Sequence, residues 1–209
     1  MAWAPDYVTV AELRTHFRAG SEEADAIFTA AITAASRAID HECNRQFGAE
    51  SPAVARTYTY DPCLYIDGCP AVPIDDLSSS TGLIVALDED DTAGYATTIT
   101  IGTDFTLWPY NASRDGKPWT HLLTRGPSQY RFPRYPNSIR VTGLFGWLSV
   151  PPVVKTACLI QSARFFVRRD SAYGVAGSPE AGSELRLLDR LDPDVALLLT
   201  SVKRHWGAV

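Results

Sequence analysis

Val141-Thr142-Gly143-Leu144-Phe145-Gly146-Trp147-Leu148-Ser149-Val150-Pro151-Pro152-Val153-Val154-Lys155 is where the chain changes period. Residues 138–145 read as a strand, whereas Pro151-Pro152 is followed by helical spacing of apolar residues. Proline suits a helix start because its fixed φ fits and its missing N–H would have no partner there. The stretch closes a β region and opens a helix through Val153 to about Arg169. Val154, Ala157, Cys158, Ile160, Phe165, Phe166 and Val167 are expected to cover most of that helix's girth, which makes it central.

Working back, Pro, Gly and Asp are frequent from Ser51 to about Ser149, and Thr, Tyr, Ile and Val gather in short runs. Strands are expected at 55–60, 83–87, 97–101, 105–108, 119–123 and 138–145. The segment Asp88 to Gly94 reads as a hairpin tip. Asp88, Asp90 and Thr92 mimic the first ligands of a calcium loop. Position six is Ala93 and position twelve is Ile99, so the tip is favoured over a cation site.

Both flanks are helical. Thr9 and Glu12 form a capping box, with Val8 placed to staple onto Leu13, for a helix running to about Arg18. Ser21 caps a longer helix with Glu22, Glu23 and Asp25 in its first turn and an apolar stripe of Ala24, Ile27, Phe28, Ala31, Ile32, Ala35, Ala38 and Ile39. Gly48 is its expected stop. Near the other end, 170–183 reads as a long loop, and Asp192-Pro193-Asp194 caps a last helix carrying Val195, Leu198, Leu199, Val202 and Trp206. The fold class is α+β: a small helical bundle from both chain ends (1–50 and 150–209) with a large antiparallel β insertion (51–149).

With 209 residues, 45% hydrophobic and 21% charged, the chain is long and apolar enough to bury a real core, which excludes a disordered tail. Its apolar runs fall far short of the roughly 20 residues of a spanning helix, and Met1 to Asp6 lacks the pattern of a secretory signal. No membrane is expected as a partner. The four cysteines show no CxxC spacing and are expected to be reduced, buried thiols.

The net charge of −5 disfavours a protein that coats nucleic acid, yet the total conceals a separation. Residues 61–104 carry nine acidic and no basic groups, whereas 113–140 carry six basic and one acidic. In the latter, Arg125, Arg131, Arg134 and Arg140 interleave with Tyr130, Phe132 and Tyr135. The halves either face each other inside one subunit or form the unlike patches of a head-to-tail assembly. The basic-aromatic segment 125–140 also suits stacking on single-stranded nucleic acid.

Sequence motifs for chemistry are not found. His41-Glu42 lacks the second histidine of a zinc-protease helix, and there is no phosphate loop, dinucleotide fingerprint or nucleophile elbow. No catalytic residue, cofactor or metal is assigned.

Several pieces, in order, resemble the head-tail connector (adaptor) family of tailed bacteriophages. They are Tyr7-Val8-Thr9-Val10-Ala11-Glu12-Leu13, Ala34-Ala35-Ser36-Arg37-Ala38-Ile39-Asp40 with Cys43-Asn44-Arg45-Gln46-Phe47, and Val141 to Trp147 with Val150 to Lys155. Arg164, Arg168, Arg169 and Asp170, then Tyr173-Gly174-Val175-Ala176-Gly177 and Leu191-Asp192-Pro193-Asp194-Val195, complete the match. The family's small members are mainly helical, and the β insertion is a departure that relatives in phages of actinobacteria share. The resemblance implies a non-enzymatic virion protein, made in the host cytoplasm, that forms a ring, usually a dodecamer, at the neck. It would dock on the portal protein and carry downstream stopper or tail-terminator proteins, with genomic DNA passing through the lumen. On that reading the partner-binding residues are Arg168, Arg169, Tyr173, Lys203, Arg204 and Trp206. The subunit interface sets Asp88, Asp90 and Asp91 against Arg125, Arg131 and Arg134.

Overall fold

A capping box opens the first helix, α1 (Val10–Phe17). The Thr9 hydroxyl accepts from Glu12 N at 3.2 Å, and the Glu12 carboxylate accepts from Thr9 N at 2.7 Å. Val8 and Leu13 are both buried, as a staple requires. The computed structural model describes residues 3–17, 25–126, 128–168, 175–176, 185–186 and 191–204. The Ser21 cap with Glu22 and Glu23, and most of loop 170–183, lie outside them.

The chain divides into two units, one comprising Met1–Phe47 with Val150–Ala208 and the other Gly48–Ser149. In the first, α2 (Asp25–Cys43) and α3 (Pro152–Arg168) pack together, α1 lies on both, and α4 (Pro193–Leu199) packs on α3 and α2. The expected stripe of α2 is buried at Phe28, Ala31, Ile32, Ala35 and Ile39, and Ser36 joins it by accepting from Tyr7 N at 3.2 Å. The helix stops before Gly48. Asn44 takes φ 52°, and Arg45 N donates to Asp40 O at 3.3 Å, a helix-ending bond that an asparagine able to enter the left-handed region permits. Helix α3 also differs from expectation: its fully buried residues, Val154, Ala157, Cys158, Gln161 and Ser162, form one stripe, and Val167 is exposed. Phe166 stacks on Phe28 with ring centroids 4.7 Å apart. Asp192 caps α4 by accepting from Asp194 N at 2.9 Å, and a 3₁₀ turn, Thr200–Val202, follows. Val175–Ala176 (β8) and Leu185–Arg186 (β9) form a two-residue antiparallel ribbon.

The second unit is an antiparallel seven-stranded sheet: β1 (Val54–Tyr58), β2 (Tyr65–Ile66), β3 (Cys69–Leu87), β4 (Thr97–Ile99), β5 (Phe105–Trp108), β6 (Trp119–Thr124) and β7 (Ile139–Phe145). Its order is β1-β7-β3-β6-β5, with β2 and β4 also on β3. Strand β7 alternates as a half-buried strand should: Ile139, Val141, Gly143 and Phe145 face inward. The 19-residue β3 extends far beyond the strand expected at 83–87, with Pro70, Pro73, Asp75, Asp76 and Gly82 inside it. Its register shifts between Leu77 and Ser79 and between Ser79 and Ile84, and Gly82 takes φ 70°, so those residues bend the strand rather than end it. One core holds Val72, Ile74, Leu77, Val85, Leu122 and Phe145. Arg56 joins Glu50 and Asp75 at 2.7 Å each and lies 4.3 Å from the Phe145 ring centroid.

Candidate interaction surfaces

The acidic tip is the β3–β4 hairpin turn. Strand pairing of Val85 with Ile99 and Leu87 with Thr97 leaves 88–96 as the connection. Asp88 is buried, and its carboxylate accepts from Thr92 N at 3.3 Å and Ala93 N at 2.9 Å. These bonds to the loop's own backbone hold it in shape. Glu89, Asp90 and Asp91 are left as the exposed acids of the tip. The Thr92 hydroxyl donates to Asp90 at 2.7 Å and holds that carboxyl below its ordinary range.

The basic-aromatic segment is braced against the acidic stretch at two points. The Tyr135 hydroxyl accepts from Asp91 N at 3.1 Å and donates to Asp88 O at 2.6 Å. At the other end Asp104, itself buried, accepts from Thr100 N at 2.8 Å and from the Ser128 hydroxyl at 3.1 Å, while Arg125 N donates to Asp104 O at 2.9 Å. The two segments therefore adjoin within one subunit. They meet through backbone and hydroxyl groups: Arg125, Arg131 and Arg134 are exposed, and none pairs with a carboxylate among the described residues. Arg131 donates to the carbonyls of Ser128 and Tyr130 at 2.9 and 3.2 Å. Arg140 instead lies over the Tyr95 ring, 4.4 Å from its centroid.

At the C-terminal side, Lys203 and Arg204 are half-buried. The Lys203 ammonium pairs with Glu42, Arg204 N donates to Cys43 O at 2.9 Å, and Arg45 donates to Val202 O at 3.2 Å. These bonds tie the segment after α4 to the end of α2. Arg168 is half-buried in the last turn of α3. Arg169, Tyr173 and Trp206 lie outside the described residues.

Burial pushes the Cys43 thiol up to about 12, and Cys158 is raised by the same cause. Cys63, expected to be buried, is exposed. No metal-holding group of His, Cys, Asp or Glu occurs among the described residues, and no described helix is long and apolar enough to cross a membrane. Sequence reasoning missed Asp104 and Ser128 as the brace under Arg125, since neither stands in a motif; the alternation of Arg with Tyr was the visible signal.

No family model matches the sequence, and no curated protein matches it. Solved structures do. A chain in the structure described as the neck of an empty GTA particle computed with C6 symmetry is 15% identical, with a TM-score of 0.57, covering 100% of this chain and 96% of that one. The fold is shared with a particle-neck chain. A chain in the virion of a native gene transfer agent (GTA) particle is 18% identical, with a TM-score of 0.58 and the same coverages. One in the neck of a native GTA particle computed with C12 symmetry is 18% identical, with a TM-score of 0.53, covering 92% of this chain and 97% of that one. At these identities the likeness is one of fold.

Proposed function

We propose that the protein is a non-catalytic structural component of the neck of a phage-like particle: an adaptor that forms a twelve-fold ring on the portal and carries the next neck protein, with DNA passing through its lumen. The observation that carries this reading is the near-complete match in both directions to a chain of a GTA neck, 100% of this chain against 96% of that one. The order of sequence pieces resembling head-tail connectors supports it independently. A head-to-tail ring needs two unlike patches on each subunit. The exposed acids Asp90 and Asp91 and the exposed guanidiniums of Arg125, Arg131 and Arg134 supply them; Asp88, turned into its own loop, acts by holding the tip's shape. Arg168, Arg169, Tyr173, Lys203, Arg204 and Trp206 are assigned to contacts with portal and downstream proteins.

Mass measurement of the protein alone and mixed with its portal tests the reading. A portal-bound ring is expected, whether or not the free protein is a monomer, because such rings can form on the template. A protein that stays monomeric and ignores the portal overturns it.

A second reading, binding of single-stranded nucleic acid along 125–140, draws on the same three exposed arginines, which have no carboxylate partners among the described residues. It predicts salt-dependent affinity for DNA, and absence of binding at low salt removes it.

A further inference from the structure

Tyr65 is an aromatic side chain that the sheet unit holds in place without covering it. Strand β2 sets Tyr65 and Ile66 on opposite faces. Ile66 is buried with Ala71 and Leu123, and Ala71 N donates to Leu64 O at 3.0 Å, which pins the strand. Tyr65 is left 53% exposed. Its hydroxyl is bonded to that of Tyr60, a buried residue whose ring centroid lies 5.6 Å from that of Phe132. Burial and the Tyr65 hydroxyl push the Tyr60 hydroxyl up, the Arg134 charge opposes them, and Asp61 adds to them. The Asp61 carboxylate is turned into its own loop, where it accepts from Cys63 N at 2.8 Å. Arg134 stands near the two tyrosines, exposed and with no carboxylate paired to it among the described residues.

An exposed aromatic ring near an exposed guanidinium is the combination that dominates binding at protein interfaces, where Tyr and Arg lead among the energetically important residues. A ring already ordered by its own subunit loses little further entropy on contact. The same chain carries a surface that fits. Glu89, Asp90 and Asp91 are exposed at the β3–β4 tip, and so are Ala93 and Gly94 beside them. Ala93 takes φ 59°, and its N–H is held by Asp88 at 2.9 Å, so this small, uncharged pair is presented in a fixed shape. With no side chain larger than a methyl, it leaves room for an aromatic ring to lie on it. Single-stranded DNA would also suit Tyr65 and Arg134, but it would leave the tip's acids unanswered, since they pair with no basic group among the described residues. A second copy of the chain answers both.

We propose that Tyr65 is an anchor of the contact between neighbouring subunits: its ring lies on Ala93 and Gly94 of a second copy, and Arg134 meets that copy's Asp90 or Asp91. That the second copy is the next subunit of a portal-bound ring rests on the neck-adaptor reading; the contact itself rests on the two surfaces.

Ring formation by the full chain on its portal, read by mass measurement, tests it. Tyr65→Ala is expected to weaken assembly at least tenfold at an unchanged melting temperature. Unlike a charge reversal, it should keep that deficit relative to the wild type at about 0.5 M salt, where exposed ion pairs are screened. Ala93→Gly removes the methyl and relieves a positive φ, so it is expected to weaken assembly at least threefold while the melting temperature holds or rises. It decides the matter if Tyr65→Ala lowers the melting temperature. Assembly of both variants as the wild type assembles overturns the proposal and leaves the neck reading standing. So does a Tyr65→Ala deficit confined to affinity for a dT oligonucleotide, which would make Tyr65 a stacking platform for nucleic acid. A wild-type chain that ignores the portal overturns the neck reading, and the free 15N-labelled chain at low salt then decides the contact. Saturable, concentration-dependent shifts of the Tyr65, Ala93 and Gly94 amide signals that Tyr65→Ala abolishes uphold it, and their absence overturns it.

Discussion

Two carboxyls in the helical unit, Asp40 beside Tyr7 and Glu12 beside Thr9, give the folded state opposite responses to acid. The Tyr7 hydroxyl donates to Asp40 and accepts from Phe47 N at 3.1 Å. Burial lifts the Asp40 carboxyl above its ordinary value of 3.8, against the lowering effects of Tyr7, Arg37 and Gln46. A carboxyl raised in the folded state contributes stability fully below 3.8 and loses that contribution as pH rises through its folded value. Tyr7→Phe strips a donor from ionised Asp40 and an acceptor from Phe47 N, at a cost of about 1–3 kcal/mol near neutral pH. In urea unfolding that deficit is expected to shrink as Asp40 becomes protonated, without vanishing, because Phe47 N–H stays unpaired. Glu12 runs the other way: bonds from Thr9 hold its carboxyl below the ordinary 4.5, so its contribution is present above that value and is lost as pH falls. Thr9→Ala is expected to cost about 1 kcal/mol in the same assay. The Thr9–Glu12 box was legible because a cap is written within four residues. The Tyr7–Asp40 pair was not, since it joins residues 33 apart that carry no shared pattern.

Elements with local punctuation were read most nearly. Asp192-Pro193 fixes the start of α4, and Pro152 fixes that of α3, because cap and proline act on the turn they occupy. Strand β3 was read only over its last residues, since its bulges are meaningful only against β7 and β6, partners far off in sequence. The same packing gives a prediction for β7. A Cβ on Gly143 would lie 3.0 Å from Leu77 Cδ1 and 3.3 Å from Leu83 Cδ1, and Leu77 is fully buried. Gly143→Ala is therefore expected to destabilise the sheet by about 1–3 kcal/mol in thermal or denaturant unfolding, with no backbone strain involved. The sequence marks Gly143 as part of a strand but not as the position that the Leu77 and Leu83 side chains of β3 leave without room, because that closeness is a property of the pair.

At the scale of the molecule, the segregated charge was legible by counting, and its disposition was not. Tyr135 and Asp104 place the acidic and basic segments side by side, which linear charge cannot foretell. If those surfaces join neighbouring subunits, Arg125→Glu with Arg131→Glu is expected to weaken portal-bound ring formation about tenfold at low salt, and Asp90→Lys with Asp91→Lys likewise. Mixing the two variants should restore assembly, with the effect fading as salt is raised. Sedimentation or mass measurement reads all four cases. The sheet unit has a further property in how it is closed. Glu50 N donates to Phe145 O at 2.8 Å, Trp147 N donates to Gly48 O at 2.8 Å, and the Trp147 indole donates to Asp76 at 3.0 Å. Its first and last residues are thus zipped to each other by its own backbone. A block whose two ends are stitched together is a cassette: an ancestor could gain or lose it in one event, and an engineer can transplant it. Residues 48–149 expressed alone are accordingly expected to unfold in a single cooperative transition with the near-ultraviolet signature of a packed core, and a fragment lacking that transition would show that the stitches need the rest of the chain.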